Sequence, residues 1–281
     1  EDTLHTTFPL VHIYCAWGSK AEEEFPEFQV KAILEMGSSP VITWEPWLSA
    51  FEADKYPELK PADQRDQGGM ADVAKGVYDF YIKKWARAAA KINYPIFLRF
   101  GHEMNDPYRY PWGPQNNTAA DYIAAWKHVH DVFRQQGASN IIWMYSPHPA
   151  YGYFDAFYPG RSYVDYIGIG TLNYGNVASW SQWYSLADIF GKHYKELAVF
   201  DKPMMLTEFA SLKVGGKRSQ WYADALHRLP AKYPLVKGLL FFHFSSDKTT
   251  TQQALNWYII HDSSVVHAIR NELSQWDPAL P

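Results

Sequence analysis

The sequence predicts an α/β fold, a (β/α)8 barrel with its first strand missing or reduced, and three observations predict it. Short runs rich in Val, Ile, Phe and Trp alternate with longer stretches of helical spacing along the whole chain, the order expected of βαβ units. The chain has 281 residues and 47% of them are apolar, enough for one large α/β domain with a sizeable core. No dinucleotide-type glycine loop is present, which favours a barrel over a doubly wound sheet.

Seven runs read as parallel strands covered on both faces, because they are too short for buried helices. They are "LVHIYCAW" (10–17), "PVITWEPW" (40–47), "PIFLRFGHE" (95–103), "NIIWMYSP" (140–147), "YVDYIGIG" (163–170), "PMMLTEF" (203–209) and "VKGLLFFHF" (236–244). Between them, "EEEFPEFQVKAILEMG" ends in a glycine stop, and "MADVAKGVYDFYIKKWARAAAKI" carries apolar residues at helical spacing. "TAADYIAAWKHVHDVFRQQG" starts on a Thr118 cap and stops at Gly137. "SLADIFGKHYKELAVF" and "GKRSQWYADALHRLP" supply two more helices, and "KYPELKPADQRDQGG" is a long polar loop. A closed barrel of this class wants eight strands, and the deficit falls at the start, where only nine residues precede the first run. No repeat or linker divides the chain, so a single domain over 1–281, acting as a monomer, is expected.

Composition narrows the function. A net charge of −4 gives no reason to expect nucleic acid or an anionic membrane surface as partner, and no stretch is apolar enough for membrane insertion. The chain opens "EDTLHTTF", without a basic-then-apolar leader, so any secretion signal is expected to have been removed or never to have existed. The single cysteine, Cys15, excludes an internal disulfide and lies in an apolar run, as an inert buried thiol would. Aromatic residues reach 17%, with 12 Trp and 20 Tyr. Part of that surplus is core; beside polar residues, the remainder is what a sugar-binding groove needs, since flat rings stack on the apolar faces of pyranoses.

In a barrel of this class the active site is built at the C-terminal ends of the strands. The ends here read "TWEPW", "RFGHEMN", "SPHP", "GTLNYG", "TEFAS" and "FHFSSD", and Glu45, Glu103 and Glu208 close three of them. Two facing carboxyl groups are what glycosidic bond cleavage requires, one held protonated to donate to the leaving oxygen and one ionised to attack the anomeric carbon. Glu103 and Glu208 sit at corresponding places on two strands, flanked by Arg99, His102, Asn105, Trp44 and Trp112. "HEMN" resembles the start of a zinc-protease helix, but position 106 is Asp where a second His is required, so no metal is expected. His148 and His243 close two further strands and are candidates to line a groove.

At these residues the chain resembles glycoside hydrolase family 26, a family of retaining endo-acting β-mannanases, mixed-linkage β-glucanases and β-1,3-xylanases on a (β/α)8 barrel. The resemblance runs from about Leu10 to Trp257. Its most specific piece is Arg99 to Gly113, which follows an "RxxHExN" pattern with "YPW" shortly after, and "KPMMLTEFAS" is similar to the nucleophile strand. The resemblance implies that Glu103 is the general acid/base, that Glu208 is the nucleophile, and that His102 contacts the sugar at the point of cleavage. It implies that Arg99 lies beneath the site holding a carboxylate, and that Trp112 and Trp180 are aromatic walls. Glu45, Trp44, Tyr110, Asn173, Tyr174, Phe241 and His243 complete the expected substrate contacts, and no cofactor is implied. Retaining chemistry needs carboxyl groups about 5 to 5.5 Å apart. Apolar surroundings are expected to keep Glu103 protonated, and donors such as Arg99 to keep Glu208 ionised.

The chain departs from the family pattern in four places. Leu172 stands where many members have a tyrosine that hydrogen-bonds the nucleophile, with Tyr174 two residues on. Phe241 or Phe242 replaces a tryptophan platform, and "DPYRYP" lengthens the loop after Asn105. Aligned on "ITWEPW", the first run corresponds to the family's second strand. Two readings follow: a retaining endo-β-glycan hydrolase acting on β-1,3-1,4-glucan or β-1,4-mannan, or a catalytically weak carbohydrate-binding or exopolysaccharide-processing domain on the same scaffold. Polymers of this size are met outside the cell, so a secreted, periplasmic or cell-surface location is expected.

Overall fold

The computed structural model describes residues 2–276. Seven strands appear among them: β1 (Leu10–Ala16), β2 (Ser39–Glu45), β3 (Ile96–Phe100), β4 (Ile141–Tyr145), β5 (Tyr166–Asn173), β6 (Met204–Ser211) and β7 (Val236–Phe241). They form one sheet in chain order, and the registered neighbours run parallel. Seven runs expected and seven strands found agree within a few residues, and no eighth strand occurs among the described residues. The contacts gather into two compact units, Pro9–Gly168 and the remainder of the chain.

The first unit holds α1 (Glu27–Glu35), α2 (Gly69–Ala74), α3 (Asp79–Ala90) and α4 (Ala119–Gln135). The stretch expected as one helix from Met70 is two, because Gly76 takes φ +82° between α2 and α3. At the start of α4, Thr118 Oγ1 accepts from the Asp121 amide at 3.1 Å while Asp121 Oδ2 accepts from the Thr118 amide at 2.9 Å. This reciprocal cap contributes about 1 kcal/mol.

Alternation along the strands sorts the two faces of the sheet. Trp44 on β2 is wholly buried and packs on Trp17, Tyr81, Trp85, Phe100 and Phe133, with the Trp85 ring centroid 4.6 Å away. It was expected at the substrate; it faces α3 and α4 instead, since a residue one pleat from Thr43 and Glu45 points to the opposite side. Truncating such a ring costs about 3–5 kcal/mol. Thr43, Glu45 and Arg99 are left on the other face, where His12 Nε2 lies 2.7 Å from Thr43 Oγ1.

The second unit holds β6, β7, most of β5, and α5 (Lys192–Ala198), α6 (Arg218–Lys232) and α7 (Ser263–Leu273). Phe209 on β6 packs on Trp221 and Tyr222 of α6. Phe241 on β7 meets Phe209, Tyr222 and Phe8, which puts it on the helix side and not in a sugar platform. Its neighbour Phe242 points the other way, toward Trp257, in a cluster that takes in Leu172 and Tyr174. Glu208, one pleat from Phe209, lies on that same non-helical face.

Candidate active site

In the first unit, β3 ends in a turn that carries Glu103. Gly101 and then Glu103 both adopt left-handed backbone, with φ +49° and +52°. For a glutamate that conformation costs about 1–3 kcal/mol, so the surroundings must enforce it. They do: the Glu103 amide donates to Ser146 O at 2.7 Å, and the Asp106 amide to Glu103 O at 2.9 Å. The loop then folds back so tightly that a Cβ on Gly113 would meet Asp106 O at 2.6 Å, which admits only glycine.

The side chains around this turn are buried and polar. Arg99 is fully buried and donates from Nε to Ser146 Oγ at 2.8 Å and from Nη1 to Thr43 Oγ1 at 3.3 Å. His102 Nε2 lies 3.0 Å from Tyr110 Oη, and its Nδ1 is 4.0 Å from Glu45 Oε1. Burial, followed by the positive charges of Arg99, His12, Arg109 and His148, holds the His102 imidazole well below its ordinary range, so the ring is neutral. Glu45 also accepts from Trp47 Nε1 at 3.2 Å. Glu103 Oε2 accepts from Arg109 Nη1 at 3.2 Å, and Asp106 Oδ2 lies 3.8 Å from Arg109 Nε. Apolar and aromatic surroundings were expected for Glu103; the structure also places the Arg109 guanidinium against it. Ligand atoms of Glu103, Asp106 and His148 lie within 4.8 Å of one another. With Arg109 already against both carboxylates, this is an ion-pair network rather than a metal centre.

Several expected substrate contacts are otherwise occupied. Trp112 is buried, donates from Nε1 to His102 O at 2.7 Å and stacks on Tyr110 at 4.6 Å, so it braces the wall from behind. The Asn105 amide spends all its capacity on backbone: Nδ2 donates to His148 O and Gly152 O, and Oδ1 accepts from the His148 amide. It ties the acid-bearing turn to the loop after β4. Sequence reasoning missed His12, Tyr14 and Arg109. "LVHIYCAW" reads as apolar, yet its period-2 alternation puts His12 and Tyr14 on one face, with Tyr14 45% exposed and its ring 6.4 Å from that of His102.

In the second unit, Glu208 sits inside β6, a strand buried along its whole length, and its carbonyl accepts from Thr171 Oγ1 at 3.1 Å. Asn173 is buried, donating to Ser211 Oγ at 2.9 Å and accepting from the amides of Gly175 and Tyr184. It too fastens loops. Tyr174 is half-buried with its ring against Trp180 and Trp257. Trp180 is 57% exposed, and His243 is exposed and stacks on Tyr258 at 4.4 Å.

Comparison with known proteins places these residues in a family. The profile of Glycosyl hydrolase family 26 matches residues 63–256. Endoglucanase H of Acetivibrio thermocellus is 32% identical over 83% of this chain and 25% of its own length. Mannan endo-1,4-beta-mannosidase A and B of Caldalkalibacillus mannanilyticus is 26% identical over 66% of this chain and 34% of its own length. The chain thus spans a quarter to a third of these two relatives. A beta-mannanase structure from Bacteroides ovatus superposes with a TM-score of 0.66 at 18% identity, covering 94% of this chain and 79% of that one, a likeness of fold.

Proposed function

The chain belongs to glycosyl hydrolase family 26, and from that premise we propose that it is a retaining, endo-acting β-glycan hydrolase on a (β/α)8-type scaffold. The observation that carries this reading is Glu103, a buried glutamate held in left-handed backbone at the end of β3 within hydrogen-bond reach of Arg109. In the proposed double displacement Glu208 attacks the anomeric carbon while Glu103 protonates the departing oxygen. Water, deprotonated by Glu103, then releases the glycosyl-enzyme. Neutral His102, oriented by Tyr110, is suited to hydrogen-bond a sugar hydroxyl without competing for the negative charge. Trp180 and Tyr174 supply rings for stacking.

The substrate is proposed to be β-1,3-1,4-glucan or β-1,4-mannan, supported by the similarity to relatives named as an endoglucanase and as mannosidases. Such polymers are met outside the cell, and no helix among the described residues is long and apolar enough to cross a membrane. One observation favours the second reading, a carbohydrate-binding or exopolysaccharide-processing domain of low turnover. Leu172 packs in the apolar cluster around Trp257 and offers no hydroxyl. The test is reducing-sugar release from lichenan, barley β-glucan, glucomannan, galactomannan and β-1,3-xylan. Release from one polymer that vanishes in Glu103→Ala and Glu208→Ala establishes the hydrolase and names its substrate; oligosaccharide binding without release supports the second reading.

A further inference from the structure

Beside Glu103, the loops after β3 and β4 bring together two tyrosine rings, Tyr108 and Tyr151. Tyr108 is 78% exposed, and its ring meets Tyr151 edge-on at 5.9 Å; Tyr151 in turn lies tilted against His148 at 4.7 Å. Ligand atoms of His148, Glu103 and Asp106 lie within 4.8 Å of one another, and with Tyr151 against His148 this places the ring pair beside the acid cluster. A large ring left this exposed contributes little to folding, and scattered surface aromatics need no explanation. These are neither scattered nor loose.

The loop that carries Tyr151 is fastened to the acid-bearing turn itself. Asn105 donates to His148 O at 3.0 Å and Gly152 O at 2.8 Å and accepts from the His148 amide at 2.7 Å. The Ala150 amide closes a further bond to His148 Nδ1 at 3.1 Å. Tyr108 is fixed on its side by its own amide, which donates to Asp106 Oδ1 at 2.8 Å. Rings held at a set distance from a carboxyl group lose little freedom when a ligand lands on them. Arg109, 25% exposed, adds donors at the edge of the same patch.

We propose that Tyr108 and Tyr151 form a sugar subsite for the pyranose on the leaving-group side of the cleaved bond. This rests on the reading of Glu103 as the acid/base. The oxygen that Glu103 protonates belongs to that pyranose, so the departing sugar must lie beside Glu103. The two rings, with Arg109 next to them, offer apolar faces for the sugar's C–H surface and a guanidinium for its hydroxyls.

The experiment is titration of β-1,4-mannohexaose and a mixed-linkage glucohexaose into Glu208→Ala protein, which cannot turn them over, with and without Tyr108→Ala. Tyr108→Trp serves as the rescue. Because the Tyr108 ring is mostly in solvent, the variant folds as the parent does. The expected result is a Kd about tenfold weaker in Tyr108→Ala and restored in Tyr108→Trp. In the otherwise wild-type enzyme, kcat/KM on polymer should fall further than on a chloronitrophenyl oligosaccharide, whose leaving group is no sugar. Binding to the parent with no change in Tyr108→Ala overturns the subsite alone. No binding by either hexasaccharide overturns the subsite and the hydrolase reading together.

Discussion

The end of β3 and the body of β6 each present one buried glutamate, and they hold it by different means. Glu208 lies within a strand in which every residue is buried, at a point where the pairing with β7 shifts register between Leu206 and Phe209. Glu103 lies just past its strand, in left-handed backbone, on a turn fixed by Ser146 and facing Arg109. A nucleophile has to be rigid and ionised; an acid/base has to change protonation state within each cycle, which suits a group whose charge environment is set by side chains of a loop. Each unit then uses a buried asparagine with three hydrogen bonds as a fastener, Asn105 in one and Asn173 in the other. Where the acids differ in support, the clamps are alike.

The largest expected effect breaks the comparison at its acids. Glu103→Ala and Glu208→Ala should each lower kcat on polymer by about a thousandfold or more, measured as reducing ends. On aryl glycosides with good leaving groups Glu103→Ala should lose far less, because a phenolate needs no proton to depart. The clamps come next. Asn105→Ala and Asn173→Ala each strand three partners, and each should cost about 2–3 kcal/mol of stability in urea unfolding. A loss under 0.5 kcal/mol at either would mean water replaces the amide.

Buried, neutral His102 sharpens the account of the first unit. Its folded value lies well below the ordinary 6.5, so below pH 6.5 the unfolded chain binds a proton that the folded chain refuses. Stability is therefore fully present above pH 6.5 and falls by about 1.4 kcal/mol per pH unit below it, until the folded ring titrates. In urea melts His102→Gln should remove that share of the slope. The smallest effect is at Cys15: burial pushes its thiol up to about 12, so native protein at pH 8 should not react with iodoacetamide.

The strands were legible because short β-branched and aromatic runs between helical stretches admit little else. Glu45, Glu103 and Glu208 stood out because polar groups are costly at strand ends. Trp44 and Phe241 were misplaced for one reason: deciding which face a strand residue takes needs the pleat's phase, and only packing on α3 or α6 sets it. Asn105 and Asn173 looked like ligand contacts because an amide's partners here lie 38 to 47 positions away or in loops that have no pattern. The helix α7 was within reach of the sequence, since Asp262 caps it by accepting from the Val265 amide at 3.4 Å.

The central claim is that Glu103 and Glu208 divide the labour of one retaining reaction. Chemical rescue with azide tests it most directly, using a chloronitrophenyl oligosaccharide and identifying the product anomer by NMR. The account predicts that azide restores Glu103→Ala with a β-glycosyl azide, formed from the covalent intermediate, and restores Glu208→Ala with an α-glycosyl azide, formed by direct displacement. The reversed pattern of anomers, or no rescue of either variant while the wild type remains active, would contradict it.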